Sequence, residues 1–331
     1  MKTKITILGG GAMATACSII LAEQPETDIS IWVRNPDYAR SMTATRVNER
    51  LLPGITIPDR IQITSDFGSA IHHADALLMS IPTKFLREAL NGLKAELQED
   101  LPVISVIKGI ENVTFLLPSQ IIEEVLGPRK IVALSGPSHA EEFARRLPAS
   151  VVAASPDAEL ASKTQNLFTT DRFRVYTNSD LMGVELAGAL KNVIAIAAGI
   201  CDGQGFGDNA KAALMTRGIA EMTRYGVLHG ANPLTFSGLA GIGDLITTCT
   251  SRHSRNRNVG ERLGRGETIE EIAASMAAVA EGVNTTRSVY DDAVKRGLDL
   301  PITTEVYRVI FEHKSPIQAA ETLMMRPLRK E

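Results

Sequence analysis

The chain has 331 residues, 44% of them hydrophobic, enough for about two domains with sizeable cores. Lys and Arg total 35 against 38 Asp and Glu, and the net charge of -3 argues against a general nucleic-acid or anionic-membrane surface. Cys17, Cys201 and Cys249 are scattered and odd in number, with no CxxC spacing; they exclude a disulfide framework and a zinc site and suit a reducing, cytoplasmic setting.

The N-terminus carries Lys2 and Lys4 but no cleavage pattern, and neither a signal peptide nor a run long enough to span a membrane is expected. Lys4–Leu8 reads as a strand, followed at once by Gly9-Gly10-Gly11-Ala12-Met13-Ala14 and a helical pattern through Leu21. Gly9, Gly11 and Ala14 fit the G-x-G-x-x-G/A form. The first glycine permits a tight turn, the second lets backbone approach a pyrophosphate, and the small third residue lets helix and strand pack. The helix start supplies free N–H groups, so Gly9, Gly11, Ala12, Met13 and Ala14 are candidate NAD(P) contacts. Asp28–Val33 reads as the second strand and ends at Arg34 rather than at an acidic residue. An arginine there can meet a 2′-phosphate or stack on adenine, which favours NADP, or it is an ordinary exposed side chain.

Further strands are expected at Ile61–Thr64, Ala74–Ile81, Pro102–Ile107, Lys130–Leu134, Ser150–Ala154 and Phe173–Tyr176. Helices are expected at Asp66–Ile71, Lys84–Leu97, Ala140–Arg146 and Ala158–Phe168. This alternation predicts an α/β N-terminal domain, a Rossmann-like, doubly wound and mostly parallel sheet, over residues 1–177. In such sheets ligands lie beyond the carboxyl ends of the strands, where Pro82-Thr83, Lys108-Gly109 and Gly136–Ser138 all fall.

After Thr177 helix follows helix, and an all-α C-terminal domain is expected over residues 178–331. The predicted segments are Leu181–Cys201, Ala210–Tyr225, Asn232–Leu239, Asn256–Leu263, Ile269–Met276, Thr285–Lys295 with Asn284 as N-cap, Thr303–Phe311 and Pro316–Met325. Leu181–Cys201 is apolar nearly all round yet carries Glu185, Lys191 and Asn192. A lysine so enclosed must find partners or lose its proton, as catalytic lysines do; alternatively its ammonium snorkels to water. Asp244, after Gly238, Gly241 and Gly243, can hold such a lysine or cap a helix. Ser251–Asn258 brings Arg252, Arg255 and Arg257 to a helix start, which suits a phosphate dianion better than a solvated basic loop.

Several segments in order resemble the bacterial-type NAD(P)-dependent glycerol-3-phosphate dehydrogenases over nearly the whole chain. They are Lys108-Gly-Ile-Glu111, Leu134-Ser-Gly-Pro-Ser138, Gly183-Val-Glu-Leu186 through Lys191-Asn-Val193, and Gly207-Asp-Asn-Ala-Lys211. Gly241-Ile-Gly-Asp244, Ser254-Arg-Asn-Arg257 and Val279-Ala-Glu-Gly282 complete the set. The resemblance implies reversible reduction of dihydroxyacetone phosphate to sn-glycerol 3-phosphate, the backbone of glycerophospholipids, by NAD(P)H. It implies Lys191 as proton donor and acceptor, with Lys108 and Asp244 at the substrate. Gly136, Ser138, Ser254, Arg255 and Asn256 would also bind substrate, and Lys108, Ala140, Arg255, Val279 and Glu281 the cofactor. The chain departs from the family at Met13-Ala14, where an aromatic residue and glycine are usual, and at His139, where Phe is common. No metal, nucleic-acid partner or membrane insertion is implied, and a homodimer is left open. The rival readings are a two-domain β-hydroxyacid or sugar-acid dehydrogenase and a non-catalytic NAD(P) redox sensor.

Overall fold

The computed structural model describes residues 2–276, 280–328 and 330. The chain divides into two units, one of Met1–Lys108 with Leu116–Glu185, the other of Gly109–Phe115 with Leu186–Glu331.

The first unit opens with β1 (Thr3–Leu8), α1 (Ala12–Leu21), β2 (Thr27–Trp32) and α2 (Pro36–Thr45). A small hairpin, β3 (Val47–Asn48) and β4 (Leu52–Thr56), precedes β5 (Gln62–Thr64) and α3 (Phe67–Ile71). Then come β6 (Ala76–Met79), α4 (Thr83–Leu93), β7 (Val103–Ser105), α5 (Pro118–Leu126) and β8 (Ile131–Ser135). The unit ends with α6 (Ala140–Ala144), β9 (Ala149–Ala154), α7 (Ala158–Phe168) and β10 (Phe173–Asn178).

Eight strands form one sheet in the order β10-β9-β8-β7-β6-β1-β2-β5. Only β8 and β9 pair antiparallel; the other neighbours are parallel. The strands are apolar on both faces because helices cover both. Ile5, Ile7, Ile29 and Ile31 pack with Ala16 and Ile20 of α1 and with Phe143 and Phe168, while Leu8, Leu77, Met79 and Val103 pack with Leu86, Leu90 and Ile121. The expected Rossmann-like architecture is present. The sequence reading passed over α2, the hairpin and α5. Asn35 announces α2 by capping it, its side chain accepting from the Tyr38 N–H at 2.8 Å, with Pro36 at the first helical position.

The helix α8 (Leu181–Gln204) runs from the first unit into the second. It is followed by α9 (Gly207–Leu228), a 3₁₀ turn at Pro233–Ser237, a π-helical turn at Leu239–Gly243 and α10 (Asp244–Thr250). The rest is α11 (Arg255–Gly264), α12 (Ile269–Ser275), α13 (Glu281–Arg296), α14 (Pro301–Phe311) and α15 (Pro316–Met324).

Two expectations need correction. The helix α13 begins at Glu281, not after an Asn284 cap; Ala280 precedes it and offers no capping side chain, so the sequence carried no start signal there. Nor is every apolar run short. Over an 18-residue window α8 has a mean hydropathy of 1.6, enough by length and composition to cross a membrane, and its few polar residues hid this. The protein itself buries 94% of that window, so α8 is a core helix.

In each unit a buried carboxylate caps a helix. Glu185 accepts from the Ser119 N–H at 3.0 Å and from the Ser119 hydroxyl, closing the start of α5. Glu221 accepts from the N–H groups of Ile302 (2.9 Å) and Thr303 (2.8 Å) and from the Thr303 hydroxyl (2.6 Å), closing the start of α14. Each answers orphan donors of a helix N-terminus.

Candidate active site

In the first unit the glycine turn links β1 to α1. Gly9 has φ of 125°, a backbone that glycine adopts without strain, and a methyl group there would lie 3.0 Å from the Ser80 carbonyl oxygen. Gly11 precedes α1, and a methyl group there would meet nothing within 4 Å, so the space over the turn is open. The helix has no side-chain cap and no acidic residue in its first turn. The N–H groups of Ala12, Met13 and Ala14 are therefore an unanswered set of donors, suited to a pyrophosphate. Asn48, fully buried, holds the turn by donating to the Gly10 carbonyl (3.1 Å) and the Thr15 hydroxyl (2.8 Å). Sequence reasoning missed Asn48, because it lies in the overlooked hairpin.

Arg34 follows β2, is exposed, and bonds to none of the described residues. The acidic candidate nearby, Asp37, is paired with Arg40. An exposed guanidinium at the end of β2 fits a 2′-phosphate or an adenine ring. These residues fit a dinucleotide: open space, uncapped N–H groups and a cation at the second strand.

The same unit gathers Lys108, Gly136 and Ser138. Lys108, half-buried after β7, donates from Nζ to the Gly136 carbonyl at 3.0 Å and to Ser138 Oγ at 2.8 Å. Ser138 Oγ itself donates to the Gly136 carbonyl at 2.8 Å. Gly136 has φ of 128°, and a methyl group there would press within 3.1 Å of Val151 Cα. Ala140 heads α6 after His139 and is buried.

In the second unit Lys191 is 6% exposed, which decides between the burial and snorkelling left open by the sequence. Its Nζ donates to Asp244 Oδ1 at 2.8 Å and to Thr248 Oγ1 at 2.6 Å. Asp244 is 1% exposed. As the first residue of α10 it points its carboxylate at the lysine, and Gly243 takes the cap position. A pair so buried is held by geometry and hydrogen bonds, since desolvation opposes each charge alone. Thr248 was missed too. The available signal was its spacing, one helical turn after Asp244, which places both on one face once α10 is recognised.

The candidate phosphate cluster heads α11. Ser254, 4% exposed, is the N-cap and accepts from the Arg257 N–H at 3.1 Å. The N–H groups of Arg255 and Asn256 in the first turn then remain as donors. The Arg255 side chain is exposed and bonds to none of the described residues. Asn256 is fixed at both ends: its Oδ1 accepts from the Gly282 N–H and its Nδ2 donates to Asn192 Oδ1, each at 2.9 Å. Because Asn192 neighbours Lys191 on α8, this chain ties the start of α11 and the first turn of α13 to the lysine's helix. Glu281 opens α13 beside Gly282. Val279 lies outside the described residues.

The three thiols take no part in this chemistry. Burial pushes Cys17 and Cys249 up to about 12 and Cys201 up to about 11, so none is a ready thiolate.

Comparison with known proteins supplies the lineage. Family models described as NAD-dependent glycerol-3-phosphate dehydrogenase N-terminus and C-terminus match residues 4–161 and 180–321. A glycerol-3-phosphate dehydrogenase [NAD(P)+] of Chlorobium phaeobacteroides is 47% identical over 99% of both chains. One of Staphylococcus aureus is 47% identical over 99% of this chain and 100% of its own. The crystal structure of glycerol-3-phosphate dehydrogenase from Coxiella burnetii superposes with a TM-score of 0.94 at 34% identity, covering 98% of this chain and 99% of that one. With a dinucleotide turn in one unit and a buried Lys–Asp pair in the other, the chain belongs to the NAD-dependent glycerol-3-phosphate dehydrogenase family.

Proposed function

We propose that the protein catalyses the reversible, NAD(P)H-dependent reduction of dihydroxyacetone phosphate to sn-glycerol 3-phosphate, supplying the glycerophospholipid backbone. The observation that carries the mechanism is the buried Lys191 ammonium, held by Asp244 and Thr248 and followed directly by Asn192.

Gly9, Gly11, Ala12, Met13 and Ala14 would bind the pyrophosphate of the cofactor and Arg34 its adenosine end, with Lys108, Ala140, Arg255, Val279 and Glu281 as further contacts. When bound, the nicotinamide supplies the hydride that reduces the ketone carbon. Lys191 gives its proton to the ketone oxygen as negative charge develops there, and takes it back from the hydroxyl in the reverse direction. Asp244 and Thr248 orient the ammonium through hydrogen bonds of 2.8 and 2.6 Å. The Arg255 guanidinium and the first-turn N–H groups of α11 bind the phosphate dianion, with Ser254 and Asn256 shaping that turn. Lys108, aimed by the Gly136 carbonyl and Ser138, adds positive charge beside the substrate.

Arg34, exposed with no carboxylate free beside it, supports NADPH as the favoured cofactor. Three unpaired thiols, Cys17 and Cys249 of them buried, fit a cytoplasmic location. A homodimer is retained as the proposed assembly, to be checked by light scattering. The deciding assay follows nicotinamide absorbance with dihydroxyacetone phosphate, comparing NADPH with NADH. Oxidation at least as efficient with NADPH is expected; no oxidation with either would overturn the activity.

A further inference from the structure

Three arginines stand at the start of α11, but they are not equivalent. Arg257 donates from Nε to Asp202 Oδ2 at 2.6 Å, and its Nη1 lies 3.3 Å from Glu261 Oε2. Asp202, near the end of α8, also accepts from Lys211 of α9 at 2.9 and 2.8 Å on its two oxygens. One carboxylate thus joins three helices. The side chains of Asp202, Arg257 and Lys211 are only 21%, 19% and 16% exposed, so solvent screens this network less than an ordinary surface pair.

The backbone beneath the network is packed without slack. A methyl group on Gly199 of α8 would come 2.0 Å from the Arg257 carbonyl oxygen, and one on Gly203 would come 2.3 Å from that of Glu261. In return, a methyl group on Gly260 of α11 would come 1.9 Å from the Ile196 carbonyl oxygen. Glycines four apart on α8 interlock with those four apart on α11, and only glycine allows that approach. The glycines set how near the helices lie and limit how far α11 can turn, since rotation would drive side chains into α8. The fine placement of its first turn is left to side chains, and the Asp202–Arg257 ion pair lies there, beside the free N–H groups.

We propose that Asp202 is a positioning residue for phosphate recognition, an inference that rests on the phosphate-binding role given to the start of α11. Through Arg257 it sets the direction of the Arg255 and Asn256 N–H groups. It also keeps the Arg257 guanidinium away from the anion, leaving Arg255 as the arginine that binds it. Sub-ångström placement of such donors matters because misplacement by about 1 Å can cost roughly 100-fold in rate.

The test uses the full chain with the Asp202→Asn substitution, assayed with dihydroxyacetone phosphate and with inorganic phosphate as competitive inhibitor. The KM for the ketone and the inhibition constant for phosphate should rise together about tenfold, as expected for one lost charge-assisted contact. The kcat should stay within about threefold, since Lys191 and Asp244 are untouched, and the KM for NADPH should not move. In an Arg257→Gln background the Asp202→Asn change should add less than about twofold. Unchanged KM and inhibition constants, or fully additive effects, would overturn the proposal. Should Asp202→Asn not fold, Arg257→Lys, which keeps the charge but loses the fork, carries the same expectation and the same refutation. Calorimetric titration with inorganic phosphate needs no turnover. A wild type that binds phosphate but does not reduce dihydroxyacetone phosphate would overturn the enzymatic reading and leave the role of Asp202 to be decided by that titration.

Discussion

Each unit presents a lysine, and the two are prepared in opposite ways. In the first unit, half-buried Lys108 donates to a carbonyl and a hydroxyl, while the glycine turn after β1 offers backbone N–H groups over open space. In the second, Lys191 is sealed among apolar residues against a carboxylate and a hydroxyl. Backbone donors bind whatever anion arrives, and their cost is met when the turn folds. A buried ammonium with a fixed carboxylate is suited to one proton and one oxygen. In the proposed mechanism the difference separates holding a ligand from changing it.

The largest expected effect comes from removing the prepared proton. Lys191→Ala should lower kcat by about 10²–10⁴-fold, the usual contribution of general acid catalysis. Nucleotide affinity should persist, because the glycine turn and Arg34 belong to the other unit. The substitution also leaves Asp244 buried without its cation, which costs roughly 3–5 kcal/mol when one partner of a buried pair is lost. Melting temperature should therefore drop, and kcat must be measured well below it. Near-normal kcat in the folded variant would make the two lysines alike and sink the acid–base role.

The two units were also legible to different degrees. Strands such as β1 and β6 announce themselves as short apolar runs bounded by turn residues, and the glycine turn follows β1 at a spacing few other structures require. The second unit is harder to read. The density of Gly238, Gly241 and Gly243 signals close backbone approach to another helix or a ligand, but not that Leu239–Gly243 is a π-helical turn running straight into α10. Gly241 is there because a side chain would strike the Phe236 carbonyl oxygen, 2.0 Å from where its methyl carbon would stand. Close packing and flexibility call for the same residue, so composition cannot tell them apart. Once α10 was missed, the Asp244–Thr248 pairing was out of reach. The glycines of α8 and α11 carry a readable signal, four-residue spacing on both helices, but which helices meet is a tertiary fact.

A second test concerns the buried carboxylates of α8's surroundings. Asp244 faces an ammonium, whereas Glu185 faces the neutral donors of Ser119, and burial pushes Glu185 up to about 7 despite those hydrogen bonds. The folded state thus favours the protonated acid more than the unfolded chain does. Its contribution is complete below about pH 4.5 and is lost as pH rises towards about 7, amounting to at most about 3 kcal/mol. Glu185→Gln, neutral at every pH, should lack that slope. Melting temperatures of both proteins from pH 5 to 8 should show the variant gaining on the wild type as pH rises. A constant difference would mean that the α5 N-terminus holds Glu185 ionised throughout, making it more like Asp244 than the contrast allows.

Lys108 tests the other side of the lysine comparison. In the role proposed for it, its charge would assist through hydrogen bonds to substrate, each worth roughly 1.5–3 kcal/mol when charge-assisted. Lys108→Ala should therefore lower kcat/KM for dihydroxyacetone phosphate by about 10–100-fold, with most of the loss in KM. Lys108→Arg should recover little, since a planar guanidinium does not fit the point-charge geometry set by Gly136 and Ser138. A loss in kcat as large as that of Lys191→Ala would erase the division between holding and proton transfer.

The smallest effect is expected at Arg34, where the first unit's means of holding a ligand is most exposed. The side chain is in solvent, its charge is screened at physiological salt, and it makes no bond to the described residues. Its contact with a 2′-phosphate should contribute about 1 kcal/mol, the upper end for exposed ion pairs. Arg34→Ala should thus raise the KM for NADPH about fivefold and leave that for NADH nearly unchanged. Raising the salt concentration should weaken NADPH binding in the wild type and have less effect in the variant, because the lost interaction is the screened one. Equal losses for both cofactors would assign Arg34 to adenine stacking, which does not distinguish them. No loss for either would remove it from the site and leave the backbone N–H groups of α1 to hold the nucleotide without its help.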